Sequence, residues 1–378
     1  MRNTARKLWS LSSLASMALG GALLAAVPSA VQAQETAEDE GIKVNAVIET
    51  NYTHNFNRPS TNNNTFLYNN REGQLGLNLA QITLSKAATP TSRAGFTLRL
   101  VEGEVRKFSF IPDDDSIILE AYGTFLAPLG DRDLKVDVGQ FVTHVGYETI
   151  DIGTNNFFSR NFLFQFPSPF YNAGIRAAYP VNDKVTVSGV LYNRYNGRTD
   201  DGNRDLAPGF QVVANLSGAS SIVFNGLTSR ENLGDSETPN NKQQNVLDLI
   251  YTNQFSPRFR FVTEGLYRWG KDADDNSYNL WGLAGYFLFP VREDGSTIGL
   301  RAEYLKQSDP TSVLGLPATD GFHIGSVTLT YDLRTGLFPG VRTLFEYRYD
   351  FAKDPFFGGR NGLKDSQSTL TIGQVYSY

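Results

Sequence analysis

The chain has 378 residues, with 34 basic and 39 acidic side chains, three histidines and no cysteine. That charge balance, with no basic run anywhere, excludes nucleic acid as the partner. The absence of cysteine excludes disulfide stapling and thiolate metal sites.

The first element is a processing segment. Arg2, Arg6 and Lys7 precede an apolar, small-residue run from about Leu8 to Val27, and Val31-Gln32-Ala33 presents small residues where a signal peptidase reads. This predicts a secretory signal over residues 1–33, cut between Ala33 and Gln34, and a single domain over 34–378. A transmembrane anchor is the competing reading. The run is broken by serines and Pro28, and falls short of the ~20 apolar residues that a spanning helix needs.

After Ala33 no uncharged apolar stretch reaches helical spanning length, and the dominant signal is alternation with period two. Val185, Val187, Gly189 and Leu191 oppose Lys184, Thr186, Ser188 and Arg194. Phe259, Phe261, Gly265, Tyr267 and Trp269 oppose Arg258, Arg260, Glu264 and Arg268. Ile298, Leu300, Ala302 and Tyr304 oppose Arg301 and Glu303, and Val341 to Phe351 repeats the pattern most cleanly. A helix would scatter both sets around its circumference, so these segments are strands.

One strand template applied throughout predicts about sixteen strands, beginning near Val44, Gly73, Arg93, Ile117, Leu134, Phe170, Lys184, Pro208, Ser220, Asn245, Arg258, Tyr278, Ser296, Gly321, Val341 and Ser366. Alternation changes phase in those from Gly73 and Tyr278, and a bulge at Ala80 would repair the first. Odd connections are long (55–72, 105–116, 143–169, 197–207, 231–244, 270–277, 309–320, 352–365), and even ones are short (86–92, 128–133, 180–183, 217–219, 256–257, 290–295, 335–340). On these boundaries every long connection exceeds every short one. Parity of this kind belongs to a transmembrane barrel, whose periplasmic turns are tight and whose outer loops are free to grow.

The fold class is therefore all-β: a closed antiparallel transmembrane β-barrel in the bacterial outer membrane. Its outer face meets lipid and lipopolysaccharide, with Tyr52, Tyr122, Tyr195, Tyr267, Trp269, Tyr304, Tyr347, Tyr349 and Tyr376 as the expected interfacial girdle. Its inner face carries Arg99, Glu120, Arg176, Arg268, Arg301, Glu303, Arg342, Glu346 and Arg348 as the candidate pore-lining wall. Lys135, Asp137, Arg194, Asp248 and Glu264 accompany them. So many ions cannot sit in a dry core without partners, which implies a water-filled lumen passing small hydrophilic solutes or ions.

The third outer loop, 143–169, is the candidate constriction. It combines Glu148, Asp151, Asn155, Asn156 and Arg160 with Phe157, Phe158, Phe162, Phe164 and Phe166. Folding inward hides that aromatic cluster from water. Glu148 and Asp151 would then face wall arginines such as Arg99, Arg301, Arg342 and Arg348, a charge arrangement that biases ion passage. Subunit or lipid contact by the same phenylalanines is the alternative.

Gly139-Gln140-Phe141, Gly146-Tyr147-Glu148, Phe158-Ser159-Arg160 and the segment from Pro169 to Gly174 together resemble the OmpL-like outer-membrane β-barrel porins. The resemblance is densest over about residues 134–196. It implies a porin-like channel, and a homotrimer as the family-level expectation. The same block is more distantly similar to anion-selective porins of the phosphate type, whose basic ladder has no dense counterpart in this loop. Leu370, Ile372, Tyr376 and terminal Tyr378 resemble the C-terminal signal read by the barrel-assembly machinery, although Gln374 interrupts the apolar face.

Other readings compete with the channel. A non-conducting adhesin or scaffold barrel would have a plugged lumen. An outer-membrane hydrolase would need a nucleophile and an oriented base, and His54, His144 and His323 lie in no such motif. A soluble exported β-sandwich or propeller would use the apolar faces as core. The acid-rich stretches Asp113–Asp115, Asp200–Asn203 and Asp272–Asp275 lack calcium-loop spacing and read as solvated loops. No cofactor is expected, and no metal site.

Overall fold

Alternation at the sequence level becomes a closed wall in the computed structural model, which describes residues 41–378 except 62–63, 69–70, 110–115, 200–201, 234–239 and 310–314. The proposed signal segment lies outside the described residues. The wall consists of β1 (Lys43–Asn55), β2 (Leu75–Lys86), β3 (Ala94–Glu102), β4 (Ile118–Leu129), β5 (Arg132–Val142), β6 (Tyr171–Pro180), β7 (Val185–Tyr192) and β8 (Ala207–Asn215). It continues through β9 (Ser220–Glu231), β10 (Lys242–Ser256), β11 (Phe259–Lys271), β12 (Ser277–Pro290), β13 (Thr297–Gln307), β14 (His323–Arg334) and β15 (Val341–Ala352). A short hairpin, β16 (Phe357–Gly359) with β17 (Gly362–Lys364), interrupts the last outer loop before β18 (Ser366–Ser377). Each barrel strand pairs antiparallel with its neighbours, and β18 closes on β1 from Val47↔Ser377 to Asn55↔Thr369. Closure matters because an unpaired edge in hydrocarbon leaves polar groups that cost several kcal/mol each.

The strand starts fall within three residues of those predicted. The predicted bulge lies nearby but not at Ala80: Glu49 pairs with Leu79 and Thr50 with Leu77, leaving Asn78 as the extra residue. Its side chain is buried and donates to Glu49, so the bulge turns a polar group inward. The predicted phase change in β12 is not one. Its pairing is unbroken, and its inner row is Tyr278, Leu280, Gly282, Ala284, Tyr286 and Leu288, apolar because it packs against other residues inside the barrel. The parity of loop lengths holds with one exception. Connection 272–276 is shorter than the even connections 87–93, 291–296 and 335–340, because β11 and β12 extend as a long hairpin.

The outer face exposes Ile48, Ile82, Val138, Ile175, Leu249, Leu283, Leu300, Leu329, Leu370 and Ile372 as an apolar belt. Tyr52, Tyr267, Tyr347, Tyr349 and Tyr376 are exposed on that face as expected. Tyr122 and Tyr195 correct the expectation. Tyr122 lies under the Arg176 guanidinium at 5.3 Å, and the buried Tyr195 donates its hydroxyl to Pro167 O at 2.7 Å. Both belong to the interior.

Candidate functional site: the loop inside the barrel

Chain leaves the wall at Val142 and returns at Tyr171, and its neck is closed by Thr143 N donating to Phe170 O at 3.0 Å. Between them lies loop 143–170, with one short helix, α1 (Phe162–Gln165), capped by the Asn161 side chain accepting from Phe164 N. Apart from Gly153 and Thr154, which are exposed, the loop is buried or half-buried. Its phenylalanines pack against the inner wall. Phe157 lies 5.9 Å from the Tyr286 ring, and Phe162 and Leu163 join the cluster of inward residues from β7 to β14. Phe158, Ile152, Leu344 and Val375 form a second contact on β15 and β18. A Cβ on Gly373 would overlap the Phe158 ring, so the inner face of β18 has glycine where the loop approaches most closely.

A chain segment inside a barrel has no strand partner, and each buried N–H or C=O left unpaired costs ~1–3 kcal/mol. The wall supplies the missing partners with charged side chains. Asp248 accepts from Gly146 N at 3.0 Å, Glu264 from Tyr147 N at 3.2 Å, and Glu49 from Ile152 N at 2.5 Å. Glu346 accepts from Phe158 N at 2.7 Å and Ser159 N at 2.9 Å, and Glu303 accepts from Phe162 N. In the opposite sense, Arg301 donates to Ser159 O at 2.7 Å, Arg348 to Arg160 O at 2.6 Å and Arg268 to Pro167 O at 3.1 Å. Arg342 grips the loop tip through Ile152 O at 2.8 Å and Asn155 O at 2.9 Å.

All nine predicted wall residues face inward. Arg99 pairs with Glu120 at 3.1 Å, Arg176 with Asp137 at 3.1 Å, Arg342 with Asp332 at 3.0 Å, and Arg348 with Glu303 at 3.2 Å. The predicted loop residues are inside too. Glu148 meets Arg301 at 2.7 Å, and Asp151 meets Arg99 at 3.3 Å. Arg160 instead staples the loop to itself, through Thr149 O at 2.7 Å, Phe158 O at 2.7 Å and Ile150 O. Asn156 accepts from the Tyr147 hydroxyl at 3.4 Å.

Arg301 and Arg348 are fully buried, each over a loop phenylalanine (Phe157 at 5.0 Å, Phe162 at 4.5 Å), and loop carbonyls together with Glu148 and Glu303 supply their partners. Glu49, Tyr286 and Asp332 act in the same network and were not singled out. Glu49 sits in the inward row Val47, Glu49, Asn51, Thr53 and was findable from alternation, whereas nothing local marks Tyr286.

The three histidines go to separate places. His54 meets Glu72 at 3.0 Å, His144 contacts the Tyr192 hydroxyl at 3.2 Å, and His323 lies 5.6 Å from the Tyr304 ring. Of the acid-rich stretches, Asp113–Asp115 and Asp200–Asp201 lie outside the described residues. Asp272 closes a turn by accepting from Asp274 N at 3.0 Å and Asn276 N at 2.8 Å. Asn276 Nδ2 donates to the other Asp272 carboxylate oxygen at 3.1 Å, and Lys242 Nζ pairs with Asp275 Oδ2 at 2.7 Å.

Residues 41–378 match the family described as "Putative beta-barrel porin-2, OmpL-like". No curated protein is matched at the sequence level. Among solved structures, an anion-selective porin from Comamonas acidovorans aligns over 89% of this chain and 99% of its own, at 10% identity and TM-score 0.62. The outer-membrane protein OmpT of Vibrio cholerae, in trimer form, aligns over 89% and 99% at 9% identity and TM-score 0.56. The outer-membrane channel DcaP of Acinetobacter baumannii aligns over 89% and 97% at 11% identity and TM-score 0.56. At such identities the likeness is one of fold.

Proposed function

The chain belongs to the OmpL-like beta-barrel porin-2 family and resides in the bacterial outer membrane, and from that premise we propose that it is a low-conductance porin. It passes small hydrophilic solutes and ions by passive diffusion, and loop 143–169 is its constriction. The observation that carries this reading is the loop's position: it crosses the lumen and is tied to opposite walls, through Asp248 and Glu264 on one side and Glu49 and Arg342 on the other. A barrel of sixteen strands is wide enough for an aqueous channel. An inserted loop narrows it without changing the wall. A homotrimer is the assembly we expect.

Planar-bilayer recording in KCl on the refolded mature barrel tests the reading. The native protein should give small, ohmic steps, and excision of residues 149–158 should raise them several-fold. Silence from both proteins, each folded by heat-modifiable gel migration, overturns it. A second reading, a non-conducting scaffold or adhesin barrel, is favoured by the complete burial of Arg301, Arg348 and Thr328 at mid-lumen. It predicts current from the shortened barrel alone.

A further inference from the structure

The loop is not held evenly. The anchors of residues 146–163 described above end on β1, β3, β10, β11, β13 and β15. Along β5 to β8 the wall, among the described residues, holds the loop only near its neck, where Gln211 Nε2 donates to His144 O at 3.3 Å, and it meets a cavity of about 10 Å³, lined among others by Asp137, His144, Arg176, Ala178, Ser188 and Gln211. Ser188 Oγ and Gln211 Oε1 are buried in that wall without a hydrogen-bond partner among the described residues. Unpaired buried oxygens are costly unless water reaches them, and a space of this size holds one. At the cavity's lower edge Ala178, and beside it Lys135, are only half-buried, so this strip of wall leads toward the periplasmic mouth.

Toward the outer side the strip is closed by a septum of side chains. The Tyr192 hydroxyl meets His144 Nδ1 at 3.2 Å, the Phe141 and Tyr192 rings are 6.0 Å apart, and the Arg176 guanidinium lies 4.0 Å from the Phe141 ring. Arg176 also holds Asp137, which Lys135 approaches at 3.6 Å.

We propose that solute crosses along the β5–β8 wall, through the septum of Phe141, Tyr192 and His144, and that Arg176 and Asp137 are the charged pair it meets. The inference rests on the channel reading above and places the filter away from Glu148 and Asp151, whose task is to hold the loop. Small ions are the class such a path admits, and the Arg176–Asp137 pair with Lys135 is the charge they meet.

Thiol labelling tests the route in the full mature chain, which has no cysteine of its own. Ala178→Cys should lose at least about half its KCl current on treatment with a charged methanethiosulfonate. Thr371→Cys, on the inner face of β18, should lose none. Tyr192→Ala should raise the conductance at least about twofold, and Asp137→Asn should move the reversal potential in a KCl gradient toward that of chloride. If Tyr192→Ala fails to fold, the thiol pair decides. A barrel that conducts but keeps its current after labelling at position 178, or loses it through position 371, overturns the route and leaves the channel reading standing. Silence from both native and loop-shortened proteins overturns both.

Discussion

At the scale of single residues, the inner charges act as partners for a backbone that has no sheet to join. Arg301 shows the logic. It is fully buried, donates to Ser159 O and pairs with Glu148, so the cost of hiding a guanidinium is offset by two good acceptors. Removing one member of a buried pair costs ~3–5 kcal/mol because the other is left stranded. Glu148→Lys should therefore expel the loop from its seat, raising single-channel conductance and altering ion selectivity; unchanged values for both would show that Glu148 does not seat the loop. Gly373 makes a second case. Gly373→Leu must displace Phe158, and the loop with it, while leaving the wall paired. The expected outcome is normal heat-modifiable migration with new protease cleavage inside 143–169.

For elements, the contrast is between strands, which are held by their neighbours, and the loop, which is held by side chains. β18 shares one edge with β15 and the other with β1. Deleting residues 366–378 opens two edges at once, and no resistant barrel should form on a semi-native gel. The tip of the loop is tied more locally. Arg342, near the start of β15, carries three of its carbonyls, at Ile152, Gly153 and Asn155. Arg342→Gln should free the tip and raise open-channel noise, with the strand register untouched.

For the whole molecule, one wall separates two environments, and the inner one is itself divided. Lipid meets the apolar belt, while the interior holds buried ion pairs and aromatic clusters around the loop. We expect the mature protein to begin at Gln34. Intact mass of the membrane-extracted product checks this, and retention of residues 1–33 would contradict it.

How much of this was legible in the sequence follows from the range of the forces involved. Strand positions, closure and the inward rows were readable because alternation is local: a side chain's face is fixed by its place in the strand. The inward fold of loop 143–169 was readable as well, since its phenylalanines cannot stay in water. The seat of that loop was not. The Ile152 N–H donated to the Glu49 carboxylate, the Phe158–Gly373 contact and the cavity by Ser188 join residues far apart in the chain. Sequence thus determined a lipid-facing barrel with a charged interior and a loop that must hide. Only the tertiary structure decided that the loop backbone partners Arg301, Glu303, Arg342, Glu346 and Arg348, because hydrogen-bond partners inside a barrel are chosen by geometry across the lumen.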